Sequence, residues 1–230
     1  MSTRTALRRI VVVAVLAVFG SVSLSGCSEI VSAFNNLQND SAAAVSTPTP
    51  STSSSLVFNS QFTYDGSVSL TADLADDLVL HLDVWADDPK QTQSWSPATD
   101  KSFGFAVNVY DNRVDDKAVL TEKRRVYISA IQITGQTAQT SGVSQIAYQF
   151  SADPRTLVPT DTLRSDYGLL LNHFQGGLLV SSQTIQELPA DTYGITLTFA
   201  MTVYVEGTAN TDTSFQQQVV YQYLPIAIFP

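Results

Sequence analysis

The chain has 230 residues, with 12 Lys plus Arg against 21 Asp plus Glu, 44% hydrophobic side chains and one cysteine. Such an acidic balance repels phosphate polymers and anionic headgroups, which excludes nucleic acid as a partner. A lone cysteine makes no internal disulfide, so any folded part needs a full-sized hydrophobic core.

Residues 1–26 read as an address. Arg4, Arg8 and Arg9 form a basic n-region, Ile10 to Phe19 (IVVVAVLAVF) an apolar h-region, and small residues follow up to Gly26, which is the layout of an export signal. The apolar run is shorter than the roughly 20 residues of a helix that spans a bilayer. Arg8-Arg9 lacks the rest of a twin-arginine motif and serves as n-region charge. The tetrapeptide Leu24-Ser25-Gly26-Cys27 closes this segment and resembles the lipobox of bacterial lipoproteins.

That resemblance covers residues 1–27 and is silent on activity. It implies that Leu24, Ser25 and Gly26 are read by the lipoprotein signal peptidase and that a diacylglycerol is attached to the thiol of Cys27. It also implies a chain anchored to the cell membrane on its extracytoplasmic face. Two acyl chains anchor stably because each buried methylene contributes about 0.8 kcal/mol. Removing Arg4, Arg8 and Arg9 with the leader makes the rest of the chain more acidic, so the lipid alone provides membrane contact.

Residues 27–55 follow as a linker. Ile30, Val31, Phe34 and Leu37 could form a short adhesive patch, but 41–55 reads SAAAVSTPTPSTSSS. This composition buries too little apolar surface to offset ordering entropy and is expected to be a disordered, solvated stalk.

Residues 56–230 alternate with period two. Leu78, Leu80, Leu82 and Val84 alternate with Val79, His81, Asp83 and Trp85. Phe103, Phe105, Val107 and Val109 alternate with Gly104, Ala106, Asn108 and Tyr110, and Ile195 to Val205 alternates with threonines, Ala200 and Tyr204. Sustained alternation means strands with one buried and one wet face. Weaker strands are expected near 57–64, 67–74, 124–133, 143–151, 168–174, 178–186 and 214–223. Asp65-Gly66 and Gln175-Gly176-Gly177 carry hairpin-turn signals, and a helix fits best near 153–166. The expected fold is an all-β, antiparallel sandwich of about ten strands, in one domain, since no repeat or linker divides it.

Leu188-Pro189-Ala190-Asp191-Thr192-Tyr193, leading into a long strand, resembles the tyrosine corner of immunoglobulin-like and fibronectin-like sandwiches. The resemblance implies an immunoglobulin-like architecture and not ancestry, because the cysteine pair of antibody domains is absent. Counting strand parity puts the start of the domain, together with loops 75–77, 111–123 and 187–192, at one end. Loops 87–101, 175–177 and 207–213 fall at the other. Trp95, on loop 87–101, is then expected to be exposed and to point away from the membrane.

The chain has no Gly-x-Ser-x-Gly elbow, His-Glu-x-x-His or phosphate-cradling glycine loop. His81 and His173 are the only histidines, and His81 with Asp83 two residues on supplies a His–Asp pair without a nucleophile. A hydrolase centred on that pair is the enzyme-class alternative. Asp76, Asp77, Asp111, Asp115 and Asp116 could converge on calcium, yet they lack Asp-x-Asp-x-Asp spacing and read as turn residues, so no cofactor is expected. A glycan site would use Trp85, Tyr110, His81, Asp83 and Asn108, an aromatic face with polar neighbours. The reading that follows is a lipid-anchored envelope protein displaying a non-catalytic interaction or structural module, its partner an envelope protein or a glycan.

Overall fold

Each long alternating stretch becomes one strand of an antiparallel sheet. In the computed structural model, which describes residues 58–229 apart from 63–64 and 174–175, β1 (Ser67–Ala75), β2 (Leu78–Ala86), β3 (Lys101–Asp111) and β8 (Leu178–Ile185) form a four-stranded sheet in the order β1-β2-β3-β8. The second sheet has six strands: β10 (Phe215–Ala227), β9 (Thr192–Glu206), β4 (Val126–Gln139), β7 (Gly168–Leu170) and β6 (Arg164–Ser165) in that order, with β5 (Ile146–Ala152) also on β4. β7 takes the edge of β4 at Tyr127 and Ile128, and β5 takes it from Ile131 to Gln136. The chain is therefore an all-β sandwich. The lipobox with Cys27 and the linker lie outside the described residues.

The inner faces are the apolar phases read from the sequence. Leu78, Leu80, Leu82 and Phe105 of the smaller sheet and Ile133, Leu197, Phe199 and Met201 of the larger are each 0% exposed. Phe105 meets Phe199 edge to face, with ring centroids 5.7 Å apart. Burying one such side chain contributes about 1.5–3 kcal/mol, so these two faces hold the domain together.

The open sides of the sandwich are stitched by side chains. On one side the Nε2 groups of Gln222 and Gln218, on β10, donate to the carbonyls of Thr71 (2.8 Å) and Leu74 (3.3 Å) on β1. Leu74 is the extra residue of a bulge between Asp73 and Ala75, which frees its carbonyl from the ladder. On the other side the Tyr148 hydroxyl donates to Gln183 Oε1 at 2.8 Å, and burial pushes the Tyr148 phenol up to about 12. Covered edges of this kind blunt strand-to-strand aggregation.

Three expectations change. Residues 58–62 are not a strand; they run beside the end of β10, where Gln61 N donates to Pro225 O at 2.9 Å. The segment 153–166 is not a helix beyond one 3-10 turn, Pro154–Thr156, and contains β6. Removing one strand before β1 and adding β6 reverses the parity of everything counted through them.

The start of the described chain therefore lies at the Trp95 end. The Phe62 ring sits 5.5 Å from Trp95, Phe229 N donates to Trp95 O, and Leu188 N donates to Pro97 O. Trp95 is 6% exposed. It is an anchor in the base of the sandwich and not the outward feature expected from parity. Tyr193 meets Phe58 edge to face at 5.8 Å, and its hydroxyl makes no hydrogen bond among the described residues, so the bond that defines a tyrosine corner is missing.

Candidate functional site

At the end opposite Trp95, β3 finishes beside the β1–β2 turn and the segment between β7 and β8. A cleft of about 320 Å³ opens there, lined by Asn108, Tyr110, Asp116, Lys123, Asn172 and His173 among others. The wet phase of β3 supplies Asn108 and Tyr110, because Val107 and Val109 point into the core. The turn after His173 forms the opposite wall, with Gly176 N donating to His173 O at 2.9 Å. Gly177 makes this possible: its φ is +116°, and a Cβ there would overlap the Asn108 amide oxygen.

His81 borders the cleft through Tyr110. It pairs with Asn108 across the strands, and its ring lies 4.8 Å from that of Tyr110 at 71°. Asp83 shares its face, yet among the described residues no hydrogen bond joins His81 to Asp83 or to a hydroxyl. What the strand register assembles is an amide, a phenol and imidazoles around a shallow hollow, suited to orienting a small polar group.

Trp85 is not part of it. It faces Gly104, whereas Tyr110 faces Val79, so the two aromatics are six positions apart along β2, about 20 Å at roughly 3.3 Å per residue. The joint Trp85–Tyr110 platform is thus corrected. Trp85 lies over Gly104, where a Cβ would come within 2.7 Å of the indole, and the ring covers backbone that a side chain would otherwise protect.

The acidic residues considered for calcium do share this end, but guanidinium groups hold the Asp111 carboxylate, and the bonds of Asp76, Asp77 and Asp116 run through their backbone carbonyls. Asp111, 4% exposed, accepts from Arg113 Nε (2.8 Å) and Nη2 (2.6 Å) and from Arg124 N (3.0 Å). Burial pushes its carboxyl up, and the hydrogen bonds and charge of the two arginines outweigh this and hold it below the ordinary carboxylate range. Arg124 also donates to Asp76 O, Asp77 O accepts from Asn112 N (2.7 Å), Asp115 Oδ1 accepts from Lys117 N (2.9 Å), and Asp116 O accepts from Lys123 Nζ (2.5 Å). Among the described residues no group of His, Cys, Asp or Glu has the arrangement of a metal site.

A second clasp sits beside the first. Glu206, the last residue of β9 and 0% exposed, accepts from Arg125 N (2.8 Å), Nε (3.1 Å) and Nη2 (2.6 Å) and from Thr211 N (2.7 Å). Burial raises its carboxyl, and these bonds bring it net below its usual value. Adjacent residues Arg124 and Arg125 thus tie β4 to the ends of β3 and β9, one in each sheet. Asn172 completes the joint, Oδ1 accepting from Val126 N (2.9 Å) and Nδ2 donating to Arg124 O (2.5 Å).

The sequence brought forward Asn108, Tyr110, Asp111, Asp116 and His173 separately, and the structure gathers them. It missed Lys123, Asn172 and Glu206. Lys123-Arg124-Arg125, three consecutive cations in an acidic chain, was the available signal for an internal clasp. No known family, curated protein or solved structure matches this chain significantly.

Proposed function

We propose that this protein is a lipid-anchored component of the cell envelope, held on the extracytoplasmic face through Cys27, whose β-sandwich is a non-catalytic interaction module. The observation that carries the reading is Leu24-Ser25-Gly26-Cys27 directly behind a basic and then apolar leader. A sandwich core built without cysteine among the described residues suits an exported domain.

The test is fractionation of cells expressing the full chain with Cys27 or with Cys27→Ala. The wild-type protein is expected in the membrane fraction, labelled by radioactive fatty acid. The variant is expected in the medium or as full-length precursor. Mature, membrane-bound Cys27→Ala protein overturns the proposal.

A further inference from the structure

The outer face of the larger sheet has a central stretch without charge. Register places Tyr221, Ala200, Gln132 and Ser151 in one row across β10, β9, β4 and β5. Tyr223, Thr198, Thr134 and Gln149 form the next. The flanking rows, Val219–Thr202–Ala130 and Pro225–Thr196–Gln136, are uncharged as well. Four strands at about 4.8 Å spacing and rows from Val219 to Pro225 make a flat area about 15 Å by about 20 Å. The outer face of the smaller sheet, by contrast, carries Asp73, His81 and Asp83.

We infer that this face binds a neutral polysaccharide, laid across the strands with sugar rings against Tyr221 and Tyr223 and hydroxyls toward Thr134, Thr198, Gln132 and Gln149. The tyrosines are 56% and 58% exposed and two residues apart on one face, about 6.8 Å along β10, so they present adjacent apolar ring surfaces to one extended ligand. Threonine and glutamine both donate and accept hydrogen bonds, as a polyhydroxylated chain requires. These rows hold no cation, and Arg125, over Phe215 further along β10, is already paired with Glu206 and Asp212, so the stretch does not favour phosphate or uronate polymers. With its hydroxyls and amides it lacks the apolar centre typical of a stable dimer interface. The seam of Gln218 and Gln222 onto β1 keeps β10 in the sheet, so both tyrosines stand on a rigid base. The inference deepens the proposed module by naming its partner class, and it does not depend on the lipid anchor.

The experiment is co-sedimentation of the full chain, in neutral detergent, with an insoluble neutral β-glucan and with its carboxymethylated counterpart. Binding to the neutral polymer is expected, with little change between low and high salt because no charge pair is screened. Tyr221→Ala with Tyr223→Ala, and separately Thr134→Glu, should each weaken it by about tenfold or more with melting temperature retained. Leu179→Ala, at an exposed side chain of the smaller sheet, should leave it unchanged. The inference is overturned by any of four results: no binding to the neutral polymer, preference for the carboxymethylated one, loss through Tyr110→Ala but not the tyrosine pair, or a concentration-dependent dimer in sedimentation velocity that the tyrosine pair abolishes. Cys27 fractionation is read separately, so failure of one leaves the other standing.

Discussion

The two ends of the sandwich are closed by opposite means. At the cleft end, Arg124 and Arg125 pull carboxylates from both sheets onto β4; Asp111 and Glu206 are almost wholly buried, while Asp212, a further partner of Arg125, is exposed. At the Trp95 end the closure is mainly apolar: Phe62, Trp95 and Leu188 are buried there, tied by backbone bonds from Phe229 and Leu188, with one buried cation, Lys101, donating to Thr99 O near Asp100 and Glu187. The packing of Phe62, Trp95 and Leu188 is itself indifferent to protons. An ionic closure keeps its strength only while its carboxylates stay charged, so the ends should fail under different conditions.

The largest expected effect comes from breaking the ionic end. Arg125→Ala leaves the Glu206 carboxylate buried with two backbone donors and no counter-charge, which should cost about 3–5 kcal/mol in urea denaturation at neutral pH. Trp95→Ala opens a cavity at the other end and should cost a similar or slightly smaller amount, about 3–4 kcal/mol. Alike at neutral pH, the two variants should part in acid. The carboxyls of Asp111 and Glu206 are held below their unfolded values, so their contribution is full above the unfolded pKa, near 4, and is lost as pH falls through the lower folded value. Wild-type stability should therefore drop on acidification. The deficit of Arg125→Ala should shrink there, because the wild type has lost the same pair, while that of Trp95→Ala persists. Parallel losses at all pH values would show that the cleft end is not held by charge.

This contrast also marks what could be read before the fold was known. The apolar end and the core follow from alternation, which a single strand displays by itself: Leu78 to Val84 and Ile195 to Val205 point inward as the period requires. The ionic end depends on which strands are neighbours. Asp111 and Glu206 are last residues of β3 and β9, far apart in sequence, and nothing local tells a buried partner from a turn carboxylate. Two short segments defeated the loop assignment: 58–62, which is not a strand, and β6. β6 is two residues long, too brief to alternate. β4 shifts register between Ile128 and Ala130, so Val126 and Ile128 occupy one phase and Ile131 and Ile133 the other. Trp85 and Tyr110 both have the outward phase expected, but phase gives the face and not the distance along it.

A smaller effect tests the cover that Trp85 gives to Gly104 on the smaller sheet. Gly104→Ala would drive a Cβ into the Trp85 indole and toward the Ser181 carbonyl, each within 2.7 Å. Because the second neighbour is backbone, β3 or β8 must shift, and a loss of about 1–3 kcal/mol is expected, with a red shift in Trp85 emission as the ring is displaced into water. Trp95, buried at the base, should contribute an unchanged signal.

The smallest expected effect concerns the seam between β10 and β1. Gln222→Ala removes one amide that donates to Thr71 O near the surface, where water can replace it, so the loss should be about 0.5–1 kcal/mol. The bond nevertheless covers a row of β1 carbonyls that would otherwise be open to another chain. Its removal together with Gln218→Ala should raise the rate of aggregation on warming, measured by light scattering, by more than the small stability change accounts for. The same seam lies away from both closed ends, so neither the acid profile of Arg125→Ala nor the deficit of Trp95→Ala should move when it is cut. A shift in either would mean that the edge strands transmit strain between the ends, and that the two closures are not independent.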